Sequence, residues 1–324
     1  VSSDLEPRFV GCLLGCAVGD ALGAPFEGLW STSIPDEELL LRGFAEFEGY
    51  PRGQFTDDTQ LTVATVEAIV DARGVEPGRI ARAIAGLWKH DSVIGPGGAC
   101  TRAALNFLKT GNWRTCGAPE GQAGNGTAMR TAALGLFFAH EPAPLPDAAA
   151  TVSRITHRDP RSVAGGVAIA KAAQVLATES DLSPTRFCNA VASAMYPYDA
   201  VFAELVRELP ARLGEDRHVA LDKIAWAGMG TPEFDRPIIT PFVVPTVLAA
   251  LWTVLRFPDS WPRAVAAAIR LGGDVDTLGA IVGAVMGAKL GVDSIPQHLA
   301  RDVVDADRLR VLAARYHLLA AEGA

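Results

Sequence analysis

The sequence predicts an all-α fold, and three observations carry that prediction. Apolar residues recur at helical rather than alternating spacing along nearly the whole chain. No stretch shows alternating β-branched residues bounded by turn signals. Many periodic segments are apolar on more than one face and rich in alanine and glycine, as expected of helices buried in a compact globule. With 324 residues, 49% of them hydrophobic, the chain can bury a substantial core. It shows no composition break, linker or internal repeat, so it reads as one domain over residues 1–324.

In chain order, Phe9, Val10, Leu13, Leu14 and Ala17 share one face of a first helix that runs to Gly19-Asp20. A loop with glycine, proline and acidic residues follows over residues 23–53. Residues 59–72 form the next helix, striped by Leu61, Ala64, Thr65, Ala68 and Ile69 and stopped at Arg73-Gly74. Ile80, Ala83, Ile84, Leu87 and Trp88 mark another helix, and residues 101–108 a shorter one. Residues 111–126 read as loop by composition. Helices are then expected at 127–139, 148–155, 161–177, 184–195, 199–209, 219–227, 244–255, 262–271, 276–289 and 301–321. Within the segment 276–289, Gly279, Gly283 and Gly287 are four apart, a ridge without side chains that lets another helix approach closely.

Composition excludes some functions. A net charge of -8 without a Lys/Arg cluster argues against a nucleic-acid surface, while a phosphate-bearing small ligand stays compatible. Five scattered cysteines, Cys12, Cys16, Cys100, Cys116 and Cys188, form no C-x-x-C pair and fit reduced, buried thiols in a cytoplasmic protein. Leu14-Gly15-Cys16 loosely imitates a lipoprotein cleavage site. However, an acidic segment precedes it and Asp20 follows within the helix, against a signal peptide. Residues 241–255 are too short to span a bilayer and contain Pro245, so no membrane partner is expected.

Chemistry concentrates at two helix starts. Thr56-Asp57-Asp58 opens one, and Asp274-Val275-Asp276-Thr277 opens another about two hundred residues later. Threonine and aspartate at an N-terminus often cap free N–H groups. Two adjacent carboxylates exceed what a cap needs and repel unless a cation or proton sits between them. The same excess occurs twice, which points to one shared site of hard oxygen ligands suited to Mg²⁺, Mn²⁺ or Ca²⁺. Glu27, in a Gly/Pro turn after the first helix, is a further candidate, although spacing alone reads it as a solvated loop carboxylate. Gly124-Asn125-Gly126 runs into a helix carrying Met129 and Arg130; it is either a tight turn or an anion-binding junction to which Arg130 adds charge. His157, between two helices, reads as a dipole partner or cap.

In this order, Gly19-Asp20-Ala21-Leu22-Gly23 with Glu27, Thr56-Asp57-Asp58-Thr59, Gly124-Asn125-Gly126 with Met129-Arg130, Thr156-His157, and Gly273-Asp274-Val275-Asp276-Thr277 resemble the ADP-ribosylglycohydrolase family. The resemblance spans most of the chain, from Gly11 to about Leu290. It implies an all-α fold with two Mg²⁺ or Mn²⁺ ions in a central cleft, held by Thr56, Asp57, Asp58, Asp274, Asp276 and Thr277. It implies catalysis by Glu27, with Asp57 and Asp58, and a ligand site at Gly124, Asn125, Gly126, Met129 and His157. Phe242 takes the place of an aromatic residue that stacks on adenine. The implied activity is hydrolysis of the glycosidic bond between ADP-ribose and an acceptor, on a modified protein or a small ADP-ribosyl compound, with an arginine side chain first and serine or another O-linked acceptor second. A protein that binds ADP-ribose without turnover is the alternative from another class. Two departures bear on the acceptor: Pro96 stands where some members carry aspartate, and Ala123 where some carry tyrosine.

Overall fold

The computed structural model describes residues 5–179, 182–229 and 234–322. All its regular elements among the described residues are helices, in agreement with the sequence prediction. The chain passes through α1 (Glu6–Gly23), α2 (Glu37–Leu41), α3 (Asp57–Ala72), α4 (Pro77–Lys89), α5 (Gly98–Thr110) and α6 (Trp113–Cys116). It continues through α7 (Ala132–Phe137), α8 (Leu145–Arg154), α9 (Pro160–Thr178), α10 (Pro184–Met195), α11 (Ala200–Arg207), α12 (Leu209–Arg212) and α13 (Arg217–Ala225). The last elements are α14 (Val243–Arg256), α15 (Trp261–Ile269), α16 (Val275–Leu290), α17 (Gln297–Asp302) and α18 (Ala306–Glu322).

Local chemistry explains most of the boundaries. Helices α4, α9 and α10 begin with proline, whose missing N–H costs nothing at a first helical position. The side chains of Asp159, Ser183, Asp199, Asp216 and Ser260 accept a main-chain N–H at the starts of α9, α10, α11, α13 and α15.

Four expectations need correction. The loop at 23–53 contains α2, started by Asp36 accepting from Leu39 N at 2.9 Å, and the loop at 111–126 contains α6, started by Asn112. The helix expected at 127–139 is a 3₁₀ turn, Ala128–Arg130, followed by α7. There Thr127 and Thr131 turn their hydroxyls outward to the carbonyls of Ser162 and Gly166 in α9. The helix expected at 301–321 is broken, because Asp305 is left-handed (φ 59°) and Val304 N donates to Gly53 O instead of continuing the ladder.

Helices α1 and α16 form the centre, nearly every residue of both being buried. They run antiparallel with their backbones in contact. A Cβ on Gly11, Gly15 or Gly19 would fall 2.5, 2.2 or 2.0 Å from the carbonyl oxygen of Gly287, Gly283 or Gly279. The ridge in α16 thus meets a second one in α1, also spaced by four. Helix α1 with its extension to Phe26 is long and apolar enough to cross a membrane, yet 89% of its most apolar window is buried inside the protein. Helices α3, α16 and α18 cover it. All five cysteines are free and buried. The functional consequence is positional, because antiparallel packing sets the end of α1 beside the start of α16.

Candidate active site

Neither acidic helix start is a cap. Thr56 and Asp274 stand at the N-cap positions of α3 and α16, and neither makes a side-chain capping bond. The start of α3 is capped from outside by Asp20 of α1. Asp20 accepts from the main-chain N–H of Thr56 and Thr59, both at 3.0 Å, and from the hydroxyls of Thr56 at 2.9 Å and Thr59 at 2.6 Å. Asp57 and Asp58 are therefore left over for another purpose. Asp58 Oδ1 and Asp276 Oδ1 are buried without a hydrogen-bond partner, a costly state for a carboxylate. Asp274 Oδ2 accepts from Asn125 Nδ2 at 2.5 Å.

A short main-chain lattice brings the remaining segments to these aspartates. Gly28 N donates to Gly273 O at 2.8 Å and Gly273 N to Leu29 O at 2.9 Å, which ties the turn after Glu27 to the start of α16. Asp274 N donates to Ile239 O, Asn125 N to Pro241 O and Val243 N to Ala123 O, joining residues 239–243 to both sides. Gly273 has to be glycine here: its φ is 93°, and a Cβ would lie 1.9 Å from Ile239 O. Glu27, read from spacing alone as a solvated loop carboxylate, is instead at the rim of the cleft, where ligand atoms of Glu27, Asp274 and Asp276 lie within 4.8 Å of one another.

The resulting cleft, of about 150 Å³, gathers most of the residues singled out in the sequence. Glu27, Asp57, Asp58, Gly124, Asn125, Gly126, Met129, His157, Asp274, Asp276 and Thr277 all line it. Thr56 sits behind, donating its hydroxyl to Asp20 and, at 3.4 Å, to Asp58 Oδ2. Phe242 is bridged to Gly124 but opens onto an adjoining cavity. Two expectations change. Arg130 does not face an anion: it is fully buried and holds the glycine loop from beneath, donating to Gly126 O and, at 3.0 Å, to Val152 O. His157 is no dipole partner, although its main-chain N–H donates to Ser153 O at 3.0 Å at the end of α8. Its ring packs under the loop, and a Cβ on Gly124 or Gly126 would come within 2.9 or 2.8 Å of it.

Asp20 was missed as a structural carboxylate, and its signal was present: a charge inside an otherwise apolar helix. The wall made by Gly97, Gly98 and Cys100 belongs to the segment in which the sequence carries the departure at Pro96.

Crowding controls the electrostatics. Burial first, then neighbouring carboxylates, push Asp57, Asp58 and Asp276 well above the usual carboxylate range. Burial raises Asp274 against the bond from Asn125, and raises Asp20 to about 6 despite its hydrogen bonds. Glu27 is raised by burial, then by Asp274, Glu48 and Asp20. Burial and Arg130 lower His157 to about 3, so it is neutral. Clustered carboxylates of this kind hold protons or share cations. An all-oxygen donor set with two buried, partnerless carboxylate atoms fits a hard divalent ion.

Comparison with known proteins finds relatives that match most of the chain. A family model described as ADP-ribosylglycohydrolase matches residues 1–324. The chain is 27% identical to the ADP-ribosyl-[dinitrogen reductase] glycohydrolase of Rhodospirillum rubrum, over 90% of this chain and 88% of that one. It is 26% identical to the ADP-ribosylarginine hydrolase Tri1 of Serratia proteamaculans, over 96% of this chain and 79% of that one. A solved ADP-ribosylglycohydrolase-related protein complex superposes with a TM-score of 0.71 at 26% identity, covering 98% of this chain and 99% of that one.

Proposed function

This chain belongs to the ADP-ribosylglycohydrolase family, and from that premise we propose that it is a metal-dependent hydrolase of the glycosidic bond between ADP-ribose and an arginine side chain. The observation that carries the reading is the convergence of five carboxylates from three distant segments on one cleft, two of them with buried, partnerless oxygens. Asp57, Asp58, Asp274 and Asp276, with Thr56 and Thr277, would hold two Mg²⁺ or Mn²⁺ ions. Such ions, when bound, act as Lewis acids toward ribose oxygens and lower the pKa of a water.

The chain's own residues supply the rest. Carboxylates around the anomeric carbon stabilise the positive charge that develops as the bond breaks. Glu27, at the rim beside Asp274 and Asp276, stands where a carboxyl group can exchange a proton with the departing acceptor or the attacking water. The glycine loop, fixed by Arg130 and His157, borders the diphosphate or distal ribose, and Phe242 offers its ring to adenine. An acidic mouth supports arginine as the acceptor, since Glu48 lies near enough to Glu27 to raise its pKa and two carboxylates favour a guanidinium over a neutral hydroxyl.

The test is release of ADP-ribose from arginine- and serine-linked conjugates, with Mg²⁺ or Mn²⁺ and with chelator. Release from the arginine conjugate that chelator abolishes is the expected result. Release from the serine conjugate alone would move the assignment to the O-linked acceptor, and no release from either would overturn it.

A further inference from the structure

Gly124 and Pro241 border both the acidic cleft and a second cavity of about 610 Å³, which Gln122, Arg161, Thr240 and Phe242 also line. Arg161 stands at the start of α9. Its Nε donates to Asp159 Oδ1 at 2.9 Å and its Nη2 to Oδ2 at 2.8 Å, a bidentate pair that fixes the guanidinium plane. Asp159 also accepts from the main-chain N–H of Gly121 at 2.9 Å, so one carboxylate ties the guanidinium to a loop of the cavity wall. The Asp159 side chain is 3% exposed and that of Arg161 37%: the anchor is buried and the cation is open. The guanidinium carbon lies 5.4 Å from the centroid of the Phe242 ring, within range of a cation–π contact.

Charge makes this placement informative. The cleft next door is lined by five carboxylates, and Arg161 is the one arginine or lysine among the described residues lining either space. A ligand whose ribose reaches into the cleft carries its diphosphate toward Gly124 and Pro241, which both spaces share, and Arg161 is the cation that the lining offers there. We propose that Arg161, positioned by Asp159, binds the anionic diphosphate of the nucleotide ligand and so selects ADP-ribose over its uncharged parts. This rests on the functional reading given above. The two roles of the guanidinium are compatible, because Nη1 is left without a hydrogen bond among the described residues while Nε and Nη2 hold Asp159.

The test is calorimetric titration of the full chain with Mg²⁺ present, using ADP-ribose and adenosine as probes at low and high salt. It compares wild type, Arg161→Gln and Arg161→Lys, with thermal melts to check folding. Arg161→Gln is expected to weaken ADP-ribose about tenfold, to leave adenosine within about twofold, and to flatten the salt dependence, since one phosphate contact is gone. Arg161→Lys restores part of the loss by returning the charge. An ADP-ribose affinity of Arg161→Gln within about twofold of wild type overturns the proposal, as does an equal loss for adenosine, which would mark a packing role. Wild-type protein that binds no ADP-ribose overturns the functional reading itself, a result distinct from either.

Discussion

Replacing Gly283 by alanine puts a methyl group where two helices already touch through their backbones. The new Cβ would lie 2.0 Å from Gly15 O, whereas ordinary contact begins at 3.4 Å. Helices α1 and α16 must therefore part by about 1.4 Å there, or tilt. Overpacking by a methyl group costs roughly 1–3 kcal/mol, and main chain on both sides puts this site at about 3 kcal/mol or more. Gly86 in α4 provides the control, with nothing within 4 Å of its Cβ. There the same substitution should stabilise by about 0.5–1 kcal/mol through helix propensity and a less flexible unfolded chain. For a chain of this size 1 kcal/mol is roughly 1.5 °C in Tm. Gly283→Ala should thus melt about 4 °C or more below wild type, and Gly86→Ala about 1 °C above it, by circular dichroism and urea titration. Gly283→Ala melting within about 1 °C of wild type, or both variants shifting in the same direction, would refute the backbone-contact account.

Asp57→Asn or Asp276→Asn should abolish hydrolysis while leaving the helical signal intact, because each removes a ligand and no core volume; wild-type turnover in either would sink the metal assignment. In metal-free protein these changes should raise Tm, since a buried repulsion disappears. The pH dependence follows from the raised carboxyls. A folded-state pKa above the unfolded one gives stability that is full below the unfolded value and lost as pH rises through the folded one. For Asp20, moved from 3.8 to about 6, the loss is roughly 3 kcal/mol. Chelated protein should therefore lose Tm between about pH 4 and 7, with a gain from Mg²⁺ that widens over that range; a pH-independent gain in scanning fluorimetry would contradict it. Gly126→Ala pushes a methyl to 2.7 Å from Cys100 Sγ and 2.8 Å from His157 Cε1. It should raise the Kd for ADP-ribose about tenfold by displacing the loop, and unchanged binding would show the loop to be soft.

Much of the fold was legible because its signals are local. Proline at the first position of α4, α9 and α10, and capping aspartates and serines elsewhere, act within a turn of the residues they organise. The reading failed where a distant partner intervened. Thr127 and Thr131 gave their hydroxyls to α9, and Val304 gave its N–H to Gly53. Short helices such as α2 and α6 show too few residues for a period.

The sequence alone determined that the protein is helical, that two helix starts carry more carboxylates than capping requires, and that α16 bears a ridge fit for close contact. Those are properties of neighbouring residues. The tertiary structure decided which carboxylate does which work. Asp20, 36 residues before Thr56 in the chain, takes over the capping of α3 and leaves Asp57 and Asp58 to the cleft. Glu27 reaches Asp274 and Asp276 because interlocked glycines hold α1 and α16 antiparallel and Gly273 admits the turn. A carboxylate's role depends on what is packed around it, and packing between residues hundreds of positions apart leaves no local pattern.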